Sequence, residues 1–337
     1  MSEPRRRISA RQLLPALRVL IAAAMIWYLA VSGVIEWHRL GGLLHAWPLT
    51  LAALAVLFAG FVMASWRFCI LTQPCGLNVT LGNSLRLTLI GNAANFLLPT
   101  IGSDLIRVWY ASGGHTGRRT EIATIVLLDR VIGLAGILLL PLLLAPFFPA
   151  VVRGSPVIIS VLVVSAAAAA ALVGAVLVAL SRRGIASAPV QWVLRVFPLR
   201  GYPARVLETI HGYRSDTGAL VRALTWAVAA NLCAVGCVIL LQLATNPGTV
   251  HAVLGGFLAA SAFVLNNVPI TPGGIGFTEA AVDSLFRIAG MTGGAEMMLG
   301  MRVLFVALAP AGVVLYLRGV RGYLTPVPAA AGPAPQP

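Results

Sequence analysis

Two arginines within long apolar segments, Arg130 and Arg302, are the residues of this 337-residue chain that packing explains least. An arginine at the centre of a membrane helix costs about 2.5–3.5 kcal/mol on insertion scales, so it usually faces a protein interior and has a partner. Its guanidinium group matches two acceptor oxygens of a carboxylate or a phosphate. The pattern therefore predicts static ion pairs, contacts with the phosphate of a lipid headgroup, or ion pairs that open to admit that headgroup.

Acidic residues precede the two arginines in the same order in both parts of the chain: Asp104, Glu121, Glu279 and Glu296. In the static interpretation, Arg130 pairs with Asp104 or Glu121. Arg302 correspondingly pairs with Glu279 or Glu296. In the functional interpretation, these acids are ion-pair partners or gates beside a headgroup site. Glu279 also admits a simpler role as a helix cap, because a carboxylate in a first turn complements the helix dipole.

Each arginine follows an apolar stretch that Pro and Gly interrupt. The predicted breaks comprise Pro99, Gly102, Pro269, Pro272, Gly273, Gly274 and Gly276. The arms on either side hold about 11 to 17 residues, and most are too short to cross a ~30 Å hydrocarbon core. We therefore predict two re-entrant hairpins, over residues 83–112 and 251–290. Asparagines precede both breaks; capping of the broken ends is the favoured role, and Asn95 and Asn267 are also candidate headgroup contacts.

The composition indicates a membrane protein, because 59% of the residues are hydrophobic and only 10% are charged. Soluble domains carry roughly 25% charged residues. Six apolar segments are long enough to span a bilayer: 14–34, 47–70, 122–145, 156–180, 222–244 and 296–318. The first is interpreted as an uncleaved membrane helix and not as a signal peptide, since it lacks a convincing cleavage site.

The net charge of +14 comes from arginine alone, and it is interrupted by lipid-length apolar runs. This distribution favours anionic lipid headgroups over nucleic acid as the partner. With the N-terminus in the cytoplasm, nineteen of the 24 basic residues fall on the cytoplasmic side. The positive-inside rule therefore predicts a multi-pass protein of a bacterial-type inner membrane with both termini cytoplasmic. The hairpins would then enter the membrane from opposite faces.

The two broken segments repeat along the chain at an offset of about 173 residues. This offset aligns the breaks, the acids and the two arginines. We infer an inverted duplication with halves at 47–145 and 222–318, joined by a segment at 187–213. That segment is predicted to be a cytoplasmic amphipathic helix, with a solvated loop as the alternative. Residues 1–322 would form one membrane domain, and the Pro/Ala-rich tail 323–337 is expected to be disordered.

No convincing nucleophile, metal-ligand cluster or nucleotide motif is visible in the sequence. The four cysteines and five histidines lack a metal-ligand spacing, and the glycine run 273–276 lacks the strand and Gly-Lys-Ser/Thr of a phosphate loop. We therefore expect no enzyme activity, no cofactor and no metal. The fold class expected is an all-α polytopic membrane protein with about six spans and two broken-helix hairpins.

Two motifs carry a resemblance to a known family. One is N-x-x-L-P-x-x-G-x-D-x-x-R from Asn95 to Arg107, and the other is P-x-x-P-G-G-I-G-x-x-E from Pro269 to Glu279. With L-D-R-V at 128–131, they resemble the transmembrane region of lysylphosphatidylglycerol synthases, a flippase-like domain that also occurs alone. Family members commonly have Glu where this chain has Asp104 and Asp129, which shortens the reach of both acids.

The resemblance implies movement of a lipid with a charged or modified headgroup between leaflets, through a cavity between the two repeats. A phospholipid, an aminoacyl-lipid or a polyprenyl-linked glycolipid would suit the expected site. Synthase activity is not implied, because this chain has no separate soluble domain of the kind that makes the aminoacyl-lipid. The alternative is an accessory or lipid-binding membrane subunit of a lipid-modifying transferase.

Overall fold

The structure, a computed structural model, describes residues 41, 43, 45–97, 101–112, 119–181, 187, 209–245, 251–266, 276–318 and 325–326. Within them the chain is almost entirely helical. The ten helices discussed below are α1 Trp47–Thr72, α2 Leu81–Leu97, α3 Ile101–Ser112, α4 Arg119–Leu144, α5 Pro149–Gly154, α6 Pro156–Leu180, α7 Thr217–Thr245, α8 Ala252–Asn266, α9 Phe277–Ile288 and α10 Gly294–Leu317.

Five helical segments are long and apolar enough to cross a bilayer: Trp47–Cys75, Thr120–Phe147, Pro156–Leu180, Thr209–Thr245 and Gly294–Leu317. They coincide with five of the six predicted spans, and the protein is an all-α, multi-pass membrane protein. The sixth predicted span, 14–34, lies outside the described residues. The fourth segment begins earlier than predicted, so the last residues of the expected linker 187–213 belong to it; the rest of that linker, apart from residue 187, is not described.

Both predicted hairpin segments consist of two separate short helices that pack against each other, α2 with α3 and α8 with α9. The second helix of each pair, α3 or α9, has 12 residues, roughly 18 Å of helix, and cannot span a hydrocarbon core. The breaks themselves, 98–100 and 267–275, lie outside the described residues. Pro99, Pro269, Pro272, Gly273 and Gly274 lie there, as does Asn267, so re-entry into the membrane stays a prediction.

The glycines at the far edge of each break are described. Gly102 lies in the first turn of α3. Gly276 immediately precedes α9 and has a φ of +81°, a backbone conformation that glycine adopts without steric cost. Gly276 therefore allows the chain to turn sharply into α9.

The long helices form a bundle around α7, which packs against α1, α4, α8 and α10. Small residues permit the close approach of helices that membrane bundles commonly use. A Cβ added at Gly312 of α10 would lie 2.1 Å from the carbonyl oxygen of Leu89 in α2. One added at Gly136 of α4 would lie 2.9 Å from the Cβ of Ala227 in α7. The bundle core thus depends on glycine at these two crossings.

The carboxyl-terminal segment returns to the body of the protein. Thr325–Pro326 pairs in an antiparallel manner with Leu77–Asn78, which follows α1. Nearby, the fully buried Tyr213 donates a hydrogen bond from its hydroxyl to the carbonyl oxygen of Leu71. Two residues of the tail predicted to be disordered are therefore in a strand pair; the remainder of 323–337 is outside the described residues.

Candidate functional site

Glu279 is the most enclosed charged group at the second break. Its side chain is completely buried, and both of its carboxylate oxygens accept hydrogen bonds from the guanidinium group of Arg302 in α10. The backbone N–H of Gly276 donates to the same carboxylate at 2.8 Å. Glu279 is therefore both a helix cap and an ion-pair partner, the two roles that the sequence presented as alternatives.

A second contact joins the two sides of this break. The hydroxyl of Thr278, in the first turn of α9, donates a hydrogen bond to the side-chain oxygen of Asn266, the last residue of α8. Since residues 267–275 separate them along the chain, this bond fixes the distance between the ends of the two short helices. The side chain of Asn266 thus links the two short helices through a side-chain contact, and capping of a broken end by this residue stays a prediction.

At the first break, Arg130 of α4 pairs with Asp104 in the first turn of α3. The pair repeats the arrangement of Arg302 and Glu279, in which an arginine of a long helix reaches an acid at the start of the preceding short helix. Its environment is more open, because the side chains of Arg130 and Asp104 are 50% and 26% exposed. The first pair is thus accessible where the second is enclosed.

A second ion-pair group lies next to Arg130, and the sequence did not predict it. The carboxylate of Asp129 accepts a hydrogen bond from Nε of Arg67 at 2.7 Å and a longer one from Nη1 of Arg107 at 3.4 Å. All three side chains are less than one-fifth exposed. Arg67 comes from α1, Arg107 from α3 and Asp129 from α4, so one carboxylate holds three helices together.

Besides its contact with Asp129, Arg107 packs against an aromatic ring and against a neighbouring helix. Its guanidinium carbon lies 5.2 Å from the centre of the Phe68 ring, within the range of a cation–π interaction. A Cβ added at Gly91 would lie 3.2 Å from its Cδ, so the side chain lies directly against α2. Its buried Nε has no hydrogen-bond partner among the described residues. The hydrogen-bonding capacity of Arg107 is therefore only partly used.

The other predicted site residues occupy different positions. Glu121 is half-buried in the first turn of α4, and Glu296 is buried in the first turn of α10. Asn95 lies on an exposed part of α2, close to the first break. Asn92, one turn earlier, donates from its side-chain nitrogen to the carbonyl oxygen of Phe305 at 3.2 Å and so ties α2 to α10. Within the described part of the chain, no group of three or more His, Cys, Asp and Glu side chains could hold a metal ion.

Comparison with known proteins identifies the family of the chain. The family model described as the lysylphosphatidylglycerol synthase TM region matches residues 16–309. No curated protein and no solved structure matches the chain. Because the family match extends from the first predicted span to within the last helix, α10, this chain belongs to the lysylphosphatidylglycerol synthase TM region family.

Proposed function

We propose that this protein moves a lipid with a charged or modified headgroup between the leaflets of the membrane, as a flippase or scramblase. The observation that carries the proposal is the pair of contacts between Arg130 and Asp104 and between Arg302 and Glu279. In each, a charged group on a long helix is bound to the start of a short, interrupted helix. Movement of the short helix would break the ion pair and free the guanidinium group for a phosphate.

The exposure of Arg130 supports a wet cavity at this place. Arg130 lies eleven residues beyond the start of α4, roughly 16 Å along the helix, and half of its side chain is exposed. Contact of that surface with hydrocarbon would be costly, and intramembrane arginines usually face a bundle interior or a water-filled cavity. We infer that Arg130 faces such a cavity, in which a headgroup crosses while the acyl chains remain in lipid.

The packing of the helices supports the proposed duplication. In the duplication, helices α1, α2, α3 and α4 correspond in this order to α7, α8, α9 and α10. The contact between α2 and α10 then corresponds to the contact between α8 and α4, and both contacts occur. The contact between α1 and α2 likewise corresponds to that between α7 and α8. The contact between α3 and α4 corresponds to that between α9 and α10. A cavity between two such halves would be opened to one face and then to the other by symmetric movements, as inverted-repeat transporters do.

We place the protein in a bacterial-type inner membrane with both termini in the cytoplasm. This orientation is tested with a variant in which the four native cysteines are replaced and a single cysteine is introduced at Arg153 or at Ser215, both exposed. A membrane-impermeant maleimide added to intact cells is expected to label the Arg153→Cys variant and to leave the Ser215→Cys variant unlabelled. The opposite labelling pattern would reverse the orientation.

Leaflet exchange of labelled lipids in proteoliposomes tests the function directly. The panel comprises an anionic phospholipid, a zwitterionic phospholipid, an aminoacyl-phospholipid and a polyprenyl-linked glycolipid. We expect headgroup-dependent exchange with the unmodified protein and none with the folded double variant Arg130→Ala/Arg302→Ala. The matched control is Arg153→Ala/Arg222→Ala, which removes two exposed arginines and should exchange lipids normally.

Absence of exchange for every lipid of the panel would reject translocation. Stable co-purification with a lipid-modifying transferase would then favour the accessory role. Exchange that is equal for all headgroups and unaffected by the double variant would show that the arginines do not lie on the path of the lipid.

A further inference from the structure

The ionic group around α3 carries an excess of positive charge. We call it the first-hairpin cluster and define it by Arg67, Arg107, Arg130, Asp104 and Asp129. Asp129 binds Arg67 and Arg107, Arg130 binds Asp104, and Asp104 is also within electrostatic reach of Arg107 and Asp129. Three guanidinium groups and two carboxylates give this cluster a net charge of +1.

Glu121, the other described acid of α4, is not counted in this cluster. It lies eight residues before Asp129 on the same helix, and a separation of eight residues corresponds to roughly 12 Å. Counted over whole helices, α3 and α4 contain three arginines and three acids, whereas α9 and α10 contain two arginines and three acids. The positive excess of the cluster is therefore supplied by Arg67 of α1.

A net charge within a membrane-embedded site is unfavourable unless an opposite charge compensates it. Arg107 is the group whose charge is least compensated, since its contact with Asp129 is 3.4 Å long while that carboxylate holds Arg67 at 2.7 Å. Its Nε, buried and without a hydrogen-bond partner among the described residues, is free to donate to an oxygen anion. A bound anion of charge −1 would neutralise the cluster.

The exposure of the side chains gives the direction of approach. Arg130 and Asp104 are 50% and 26% exposed, Arg107 is 17% exposed and Arg67 is 11% exposed. An anion can therefore meet Arg130 first and reach Arg107 by displacing the long Arg107–Asp129 contact. Asp129 would keep its shorter bond to Arg67, so the three-helix junction need not come apart.

We propose that Arg107, together with Arg67 and Arg130, forms a binding site for a singly charged phosphate group. Guanidinium groups bind phosphate oxygens through paired hydrogen bonds. A phosphodiester carries one negative charge, which would balance the net charge of +1 on the cluster. Where the phosphate belongs to a lipid, this site deepens the proposed function and rests on it. A phosphodiester fits the charge of the site better than a diphosphate, which would leave an excess of negative charge.

Binding is measured with detergent-purified full-length protein and phosphatidylglycerol labelled with a fluorophore on its acyl chain, by fluorescence anisotropy. Diacylglycerol with the same label is the uncharged comparison, and inorganic phosphate is the competitor. The variants form a charge series. Arg107→Gln lowers the net charge of the first-hairpin cluster from +1 to zero, and Asp104→Asn raises it to +2. Arg86→Gln, an exposed arginine outside the cluster, is the matched control.

Arg107→Gln is expected to weaken binding of phosphatidylglycerol about tenfold or more, as the loss of a charge-assisted hydrogen bond does. Asp104→Asn should tighten it, and Arg86→Gln should leave it unchanged. Arg107→Lys keeps the charge but loses Nε and the paired hydrogen bonds, so it is expected to bind more weakly than the unmodified protein and more tightly than Arg107→Gln. Equal binding by Arg107→Gln and the unmodified protein, or equally tight binding of diacylglycerol, would overturn the proposal.

Competition identifies the source of the phosphate. Displacement by millimolar inorganic phosphate would assign a site open to the free anion, whereas arginine-dependent lipid binding without displacement would assign it to the lipid phosphodiester. The leaflet-exchange assay is independent of these results. If the unmodified protein exchanges lipids but Arg107→Gln binds phosphatidylglycerol as tightly as the unmodified protein does, this site is rejected and the proposed function is not. If binding depends on Arg107 but the unmodified protein exchanges no lipid, the proposed function is rejected and the site is not.

Discussion

Glu279, a completely buried acid, binds Arg302 through both of its carboxylate oxygens. The corresponding pair of Asp104 and Arg130 is much more exposed. The two halves of the protein thus hold their short helices with similar chemistry in different environments. Removal of the arginine should therefore have different consequences in the two halves.

Arg302→Ala is expected to destabilise the protein strongly. The change leaves Glu279 buried with only the backbone N–H of Gly276 as a described partner, and breaking a buried ion pair costs about 3–5 kcal/mol. The free energy of unfolding in detergent, measured with a chemical denaturant, should fall by that amount. Arg222→Ala, which removes an exposed partner of Asp216, is the control and should cost at most about 1 kcal/mol. Equal losses in the two variants would contradict the enclosed role of Glu279.

Arg130→Ala is expected to abolish lipid exchange while it leaves stability nearly unchanged. An exposed ion pair contributes about 0–1 kcal/mol, because water competes with both partners. We expect an unfolding free energy within about 1 kcal/mol of the unmodified protein, and no headgroup-dependent exchange in proteoliposomes. Arg130→Lys should recover part of the exchange, since the charge remains but the paired hydrogen bonds to phosphate are lost. Full exchange by Arg130→Ala would remove this arginine from the path of the lipid.

The contacts at the two breaks could be anticipated because their cause is local. Closely spaced Pro and Gly residues disfavour a continuous helix, and an acid two or three residues beyond the last glycine lies in the first turn of the next helix. The repeated order of break, acid and arginine then restricted the partners of Arg130 to Asp104 or Glu121. The choice between these acids needed the packing of α3 on α4, which spacing alone does not specify.

The junction at Asp129 could not be derived in this way, because its three residues come from three helices. Arg67 and Asp129 are 62 positions apart, and nothing in the sequence brings α1 to α4. Arg67 and Arg107 are among the nineteen basic residues that the positive-inside rule predicts on the cytoplasmic side. One signal was available: Asp129 lies in the middle of a span, and a charge at that depth needs a partner. Arg130, its neighbour, points about 100° away around the helix and could not be that partner.

Gly312→Ala is expected to disrupt the contact between α10 and α2. The added Cβ would lie 2.1 Å from the carbonyl oxygen of Leu89, and a backbone atom cannot rotate out of the way. Separation of the two helices should cost about 1–3 kcal/mol or more, seen as a lower unfolding free energy in detergent. Gly174→Ala in α6 has no atom within 4 Å of the added Cβ and should be neutral or slightly stabilising. A Gly312→Ala variant as stable as Gly174→Ala would show that this crossing is looser than described.

The pairing of the carboxyl-terminal segment with the turn after α1 is expected to permit a disulfide. Asn78 and Thr325 are partners in the antiparallel pair, and such partners have Cα atoms about 4.5–5.5 Å apart, within the range that a disulfide spans. In a variant without the four native cysteines, Asn78→Cys/Thr325→Cys should form an intramolecular disulfide under mild oxidation, detected as a linked peptide by mass spectrometry. Asn78→Cys/Arg153→Cys is the control and should stay reduced, because position 153 is predicted on the opposite face of the membrane. Efficient linkage in the control, or its absence between 78 and 325, would contradict the placement of the tail beside α1.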